Sequence, residues 1–149
     1  MTRSNFIPHK EWETIVRNVP LVSVDLVVKH NDGVLLGKRQ NEPAKDEWFV
    51  PGGRVRKNER LTDAVHRIAQ EELNCDVEIN QSLGVFEHFY DTSDIPSVDS
   101  KHYLANGFVV TPNKEPSIGD DQHEEVRTFS EPFTEFHPYV EQYLQQLDQ

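Results

Sequence analysis

Cysteine is nearly absent from this chain of 149 residues. The single Cys75 excludes an internal disulfide, and as an apolar residue at a helix end it belongs in the core. Basic residues are also scarce, 15 against 26 acidic ones, for a formal net charge of −11. A surface so poor in cations disfavours nucleic acid or an anionic membrane as partner, because their phosphates need a positive face. The acid excess leaves adaptation to a salty cell open. No apolar run is long enough to span a membrane or act as a secretory leader, which implies a soluble, cytoplasmic protein. There is no repeat, low-complexity tract or linker, so 1–149 reads as one domain, long enough to bury a core. Hydrophobic residues make up only 36%, yet they gather in short runs such as 21–28, which excludes general disorder.

Those runs set the expected elements. Residues 8–18 predict a short amphipathic helix with Trp12, Ile15 and Val16 on one face, closed by Pro20. Segments 21–29 and 34–38 are β-rich and joined by Asn31-Asp32-Gly33, a hairpin signal. A short strand is expected at 48–50, a helix at 61–73, and strands at 76–79, 83–89, 103–110 and 125–129. Two loops separate the later strands, 92–100 and the long Pro/Gly/Asp-containing 111–122. A terminal helix is expected at 138–147. Mixed strands around one central helix predict an α/β sandwich with a mixed sheet.

The densest information lies between Gly52 and Cys75. Five residues separate Gly53 from Glu59, seven separate Glu59 from Arg67, and three more lead to Glu71-Glu72. Segment 61–73 lacks Gly and Pro, repeats Leu61, Val65 and Ile68 on one face, and meets a left-handed stop at Asn74. Two carboxylates in the last turn oppose the helix dipole and call for cations. Arg67, one turn back, can satisfy Glu71. Glu72 continues the buried stripe, where an unpaired carboxylate is costly, and aims at the glycine loop, where a hard divalent metal could share carboxylate and carbonyl oxygens.

Gly53-(five)-Glu59-(seven)-Arg67-(three)-Glu71-Glu72 resembles the Nudix box, the magnesium-binding loop–helix–loop of hydrolases of nucleoside diphosphates linked to another group. Two positions depart from it. Asn74 stands where the box ends in Gly, a mild change because Asn tolerates a left-handed backbone. Ile68 stands where a Glu normally follows the Arg, and so removes a carboxylate that many of these enzymes use at the metal and as a base. Further segments, 20–25, 35–39, 48–55, 88–91, 102–103 and 122–123, resemble the GDP-mannose mannosyl hydrolase branch, which cleaves at the sugar's anomeric carbon. That branch also carries an aliphatic residue after the box Arg. The likeness covers about 16–129.

This resemblance implies a Nudix-like α/β/α sandwich and Mg2+, with Mn2+ as a possible substitute, acting on a nucleotide sugar. It places Gly52, through its carbonyl, with Glu72 and Gln122 as metal ligands and His123 as catalytic base. A neutral imidazole of ordinary pKa can take a proton from water, and an amide oxygen suits Mg2+. Arg39 and Arg54 flank the loop that would hold the diphosphate and would stabilise the leaving group, since guanidinium forks match phosphate oxygens. Asp25, which interrupts an apolar strand on the face shared with Ser23 and Val27, is either a strand-edge polar residue or a partner for the sugar or Arg39. His88 and Tyr103 are implied substrate contacts. The roles of Glu59 and Glu71 stay open between metal and Arg67. His9, His30, His66 and His137 read as surface polars. The branch also implies a homodimer using the first helix, which its apolar face permits.

Overall fold

The computed structural model of the chain describes residues 7–117, 123–131, 133 and 135–147, with residues 123 and 124 described through their backbone only. The elements follow in order as α1 (His9–Asn18), β1 (Leu21–His30), β2 (Gly33–Arg39), β3 (Trp48–Phe49), β4 (Gly52–Arg54), α2 (Leu61–Leu73), β5 (Val77–Tyr90), β6 (Lys101–Pro112), β7 (His123–Phe129) and α3 (Pro138–Gln146). A seven-stranded mixed sheet runs β3-β2-β1-β6-β5, with β4 attached to β1 and β7 to β2. Only the β1–β6 pair is parallel among these ladders; the others are antiparallel.

Alternation along the central strand sorts its side chains between two layers. Val24, Leu26 and Val28 pack with Val65, Ile68 and Leu73 of α2. Val27 packs on the opposite face with Val140, Tyr143 and Leu144 of α3. The result is the expected α/β/α sandwich. Asn74 closes α2 in the left-handed region at φ 55°, as its place in the sequence predicts.

Two expectations change. The segment 76–89 forms one long strand rather than two; the polar run Asn80–Ser82 and Gly84, at φ 92°, mark register shifts inside the β5–β6 pairing instead of a turn. Gly52–Arg54, expected as a loop, is a short strand on β1. The apolar stripe of α1 turns partly inward: Val16 is buried, and Trp12 and Ile15 are partly buried, packing with Leu21, Ile95, Val98 and Tyr103.

Candidate functional site

The box folds as a clamp around Arg67. Its Nε donates to Glu59 Oε2 at 2.8 Å and its Nη2 to Glu59 Oε1 at 3.0 Å, a two-pronged charge-assisted pair. The same guanidinium donates to the Arg54 carbonyl at 2.9 Å and to Glu71 Oε1 at 3.2 Å. The Arg56 amide adds a bond to Glu59 Oε1 at 3.0 Å. The hydrogen bonds from Arg67 hold Glu59 below the usual carboxylate range, and Glu59 in turn raises Arg67. Glu59 and Glu71 thus serve to fasten the glycine strand to α2, with Arg56 3.6 Å from the second Glu71 oxygen.

Ile68 fills the place beneath the glycines. It is 1% exposed, and a Cβ on Gly53 would come within 3.0 Å of its Cδ1. Glu72 stands one turn beyond Ile68 on the same face, half-buried, with Oε1 shielded from solvent. Gly52 sits opposite Asp25, between the bonds Leu26 N–H to Pro51 O and Val55 N–H to Val22 O, both 2.8 Å. Antiparallel alternation turns the Gly52 carbonyl away from β1, towards the edge where Arg67 takes the Arg54 carbonyl. A side chain at Gly52 would collide with Asp25 Oδ1 and stand 2.7 Å from Val24 O, so only glycine fits.

The Gly52 carbonyl and the Glu72 carboxylate are oxygen donors of the kind Mg2+ takes. No group of three His, Cys, Asp or Glu side chains that could hold a metal occurs among the described residues. Gln122 lies outside the described residues. His123 is placed by its backbone alone, opposite Arg39 in the β2–β7 ladder.

Asp25, Arg39, Gly52, Arg54, His88 and Tyr103 all line one cavity of about 300 Å3, so the residues singled out in the sequence converge. Glu72 is not part of its wall. Asp25 lies on the face shared with Ser23, and Tyr143 donates to its Oδ2 at 2.7 Å. Burial pushes the Asp25 carboxyl up to about 6, against the opposing pull of the Tyr143 bond and of Arg39. Arg39 donates its Nε to Pro43 O at 2.7 Å, which fixes the guanidinium. Arg54 rests 5.2 Å above the Trp12 ring, and burial lowers its pKa, helped by Arg56 and Arg67.

His88 is 2% exposed and stacks on Tyr139 at 4.0 Å between ring centroids. Burial, then His137, drives its pKa down to about 4, so the ring is neutral. Two of the supposed surface histidines are partly buried. His30 is 14% exposed and bridges Thr128 and Glu115, while His137 caps α3 and sits among aromatic rings. His9 and His66 are exposed, as expected.

The sequence reading missed Lys101, Asp94 and Tyr90, which also line the cavity. Lys101 was within reach: it stands two residues before Tyr103, so strand alternation puts both on one face. Asp94, in a loop that pattern alone leaves structureless, carried no such signal.

Comparison with known proteins agrees with this geometry. The NUDIX domain family model matches residues 19–146. The low-salt glycan biosynthesis protein Agl8 of Haloferax volcanii is 61% identical over 142 residues, 95% of this chain and 91% of that protein. An ADP-ribose pyrophosphatase of Methanocaldococcus jannaschii is 36% identical over 67 residues, 45% of this chain and 40% of that protein. A MutT NUDIX hydrolase structure from Burkholderia pseudomallei matches with a TM-score of 0.69 at 25% identity, covering 86% of this chain and 98% of that one. A MutT protein from Methanosarcina mazei shares the fold, at a TM-score of 0.68 and 19% identity over 87% of this chain and 94% of its own.

Proposed function

The chain belongs to the Nudix domain family, and from that premise we propose that it is a Mg2+-dependent hydrolase converting GDP-mannose to GDP and mannose, with water attacking the anomeric carbon. One observation carries this reading: Ile68, buried under Gly53, occupies the box position where a metal-side carboxylate base would stand. Arg67 engages Glu59 and Glu71, and the resemblance assigns the metal to Glu72. Attack on phosphorus uses a base beside the metal, whereas attack on carbon needs one on the sugar side. The name of the Haloferax relative, a glycan biosynthesis protein, supports a sugar-nucleotide substrate.

Glu72, the Gly52 carbonyl and Gln122 would hold Mg2+, which would neutralise charge on the diphosphate. His123 takes a proton from the attacking water as the new C–O bond forms opposite the departing diphosphate. The bond between the anomeric carbon and the β-phosphate oxygen breaks with its electron pair on the phosphate. Arg39 and Arg54 stabilise that leaving charge inside the cavity, where fixed dipoles and cations count for more than in water. Asp25, His88 and Tyr103 contact the substrate. The enzyme works in the cytoplasm, and no described helix is long and apolar enough to cross a membrane. A homodimer using the first helix remains part of this reading.

The ADP-ribose pyrophosphatase relative favours a second reading, cleavage of the P–O–P bond of a nucleotide sugar. A panel of nucleotide sugars with Mg2+ separates the two. GDP plus mannose supports the first; GMP plus mannose 1-phosphate supports the second. Tight binding without turnover would point instead to a nucleotide-binding module that has lost catalysis.

A further inference from the structure

One pair in the cavity wall has no part in the mechanism above. Lys101, only 8% exposed, places Nζ 2.8 Å from Asp94 Oδ1 and 5.7 Å from the centre of the Tyr103 ring. Burial works against its charge, but Tyr103 and Asp94 outweigh burial, so the lysine stays protonated. Asp94 retains 46% exposure of its side chain at the cavity, with its other oxygen outside that ion pair. Its loop is firmly built. Ser93 Oγ donates to the carbonyls of Ile95 and Val98 at 3.0 and 2.7 Å and accepts from the Ile95 amide at 2.9 Å. Ile95 and Val98 are buried against α1.

The charges of this pair decide what it can bind. Among the described residues, Arg39 and Arg54 form no ion pair with a carboxylate, and they suit phosphate. Lys101 is already neutralised, and Asp94 would repel a phosphate. A neutral lysine–aspartate pair beside flat aromatic rings fits an uncharged polar group that offers acceptors and donors side by side.

The sheet order says which part of the substrate that is, given the reading above in which His123 serves the sugar. His123 sits beside Arg39 on the β7–β2 side, Gly52 to Arg54 lie over β1, and Lys101 and Tyr103 lie on β6, the far side. Lys101 is also six residues before Gly107, the partner of Asp25, which is about 20 Å along the strand at the usual rise. With the sugar at one side and the diphosphate over the glycines, the nucleobase falls at Lys101.

We propose that Asp94 and Lys101 read the nucleobase and select guanine. Asp94 accepts from N1–H and the 2-amino group, and Lys101 donates to O6. A carboxylate is acceptor-only and an ammonium donor-only, so the pair can satisfy this edge in one arrangement. Guanine alone among the common bases sets two adjacent donors next to a carbonyl acceptor. Adenine offers an amino group where O6 would be, and Lys101 has nothing to accept it.

The test is calorimetric binding of GDP, IDP and ADP, each with Mg2+, to the whole protein and to Asp94→Asn and Lys101→Met. Hypoxanthine lacks only the 2-amino group, so the wild type should bind GDP roughly ten- to a hundredfold more tightly than IDP, the worth of a hydrogen bond to a charged group. ADP should bind more weakly still. Asp94→Asn should bring GDP and IDP close together while IDP changes little. Lys101→Met should weaken GDP and IDP alike and leave ADP unchanged or better bound. Equal binding of the three nucleotides by the wild type would overturn the proposal, and that comparison needs no variant to fold. So would an equal loss for all three in Asp94→Asn, or a loss seen with GDP-mannose and not with GDP, which would assign the pair to the sugar. None of these outcomes depends on which bond the enzyme breaks, so the proposed reaction can fail separately, on its products.

Discussion

Ile68 lies directly under Gly53, its Cδ1 3.0 Å and its Cγ1 3.2 Å from where a Cβ on that glycine would stand. The contact does two things. It lets β4 approach α2 closely enough for Arg67 to reach the Arg54 carbonyl, and it fills with hydrocarbon the position after the box arginine, where the Nudix box carries a carboxylate.

Restoring that carboxylate should therefore not convert the enzyme. Ile68→Glu buries a charge among Val65, Ala69 and Leu26, and should destabilise the domain by about 3 kcal/mol or more in urea unfolding. What folded protein remains should still release GDP and mannose. A stable variant that releases GMP would show the site geometry to be misread.

Glu72→Gln keeps volume and removes charge at the end of α2. Apparent Mg2+ affinity should fall, and turnover should drop roughly a hundredfold or more, while thermal unfolding stays within a few degrees of the wild type. An unchanged Mg2+ titration of activity removes Glu72 from the metal site.

Arg67→Lys tests the clamp. Lysine cannot make the fork to Glu59, and both side chains are largely buried, 19% and 15% exposed. The loss should be about 2 kcal/mol, less than for a fully dry pair because some solvent reaches it. An unmoved urea midpoint would mean that the strand is held by the Gly53–Ile68 packing alone.

Much of this was legible beforehand. The α2 boundaries could be read because a run without Gly or Pro with a clean apolar stripe ends at a residue suited to positive φ. The cavity residues Asp25, Arg39, Arg54, His88 and Tyr103 came from resemblance, since nothing in periodicity says that β1, β2, β4, β5 and β6 converge. The single β5 strand was hidden because Asn80, Gln81, Ser82 and Gly84 have the chemistry of a turn, and only pairing with β6 carries the chain through. The state of Glu59 could not be decided from spacing: seven residues separate it from Arg67 in the sequence, and only the fold brings them to 2.8 Å.

His88 gives a pH signature of folding. Its folded pKa of about 4 lies below the ordinary 6.5, so the unfolded chain binds the proton more readily. Its contribution to stability is present above pH 6.5 and is lost as pH falls towards 4. Urea midpoints of wild type and His88→Gln should therefore diverge across this window, with the wild type falling more steeply on acidification. Parallel curves would show that His88 is not buried as a neutral ring.

The base and the position of attack are tested through His123. His123→Ala should slow the maximal rate by roughly a hundred- to ten-thousandfold, with substrate and Mg2+ affinity near normal. Retained turnover in that variant would mean that another residue is the base.

The most direct measurement of the central claim follows the oxygen of water. Hydrolysis of GDP-mannose in water enriched in heavy oxygen, with both products examined by mass spectrometry, reports which atom is attacked. Attack on the anomeric carbon places the label in mannose and leaves GDP unlabelled. Label in a phosphate product would mean attack on phosphorus, and the sugar-side mechanism would be wrong.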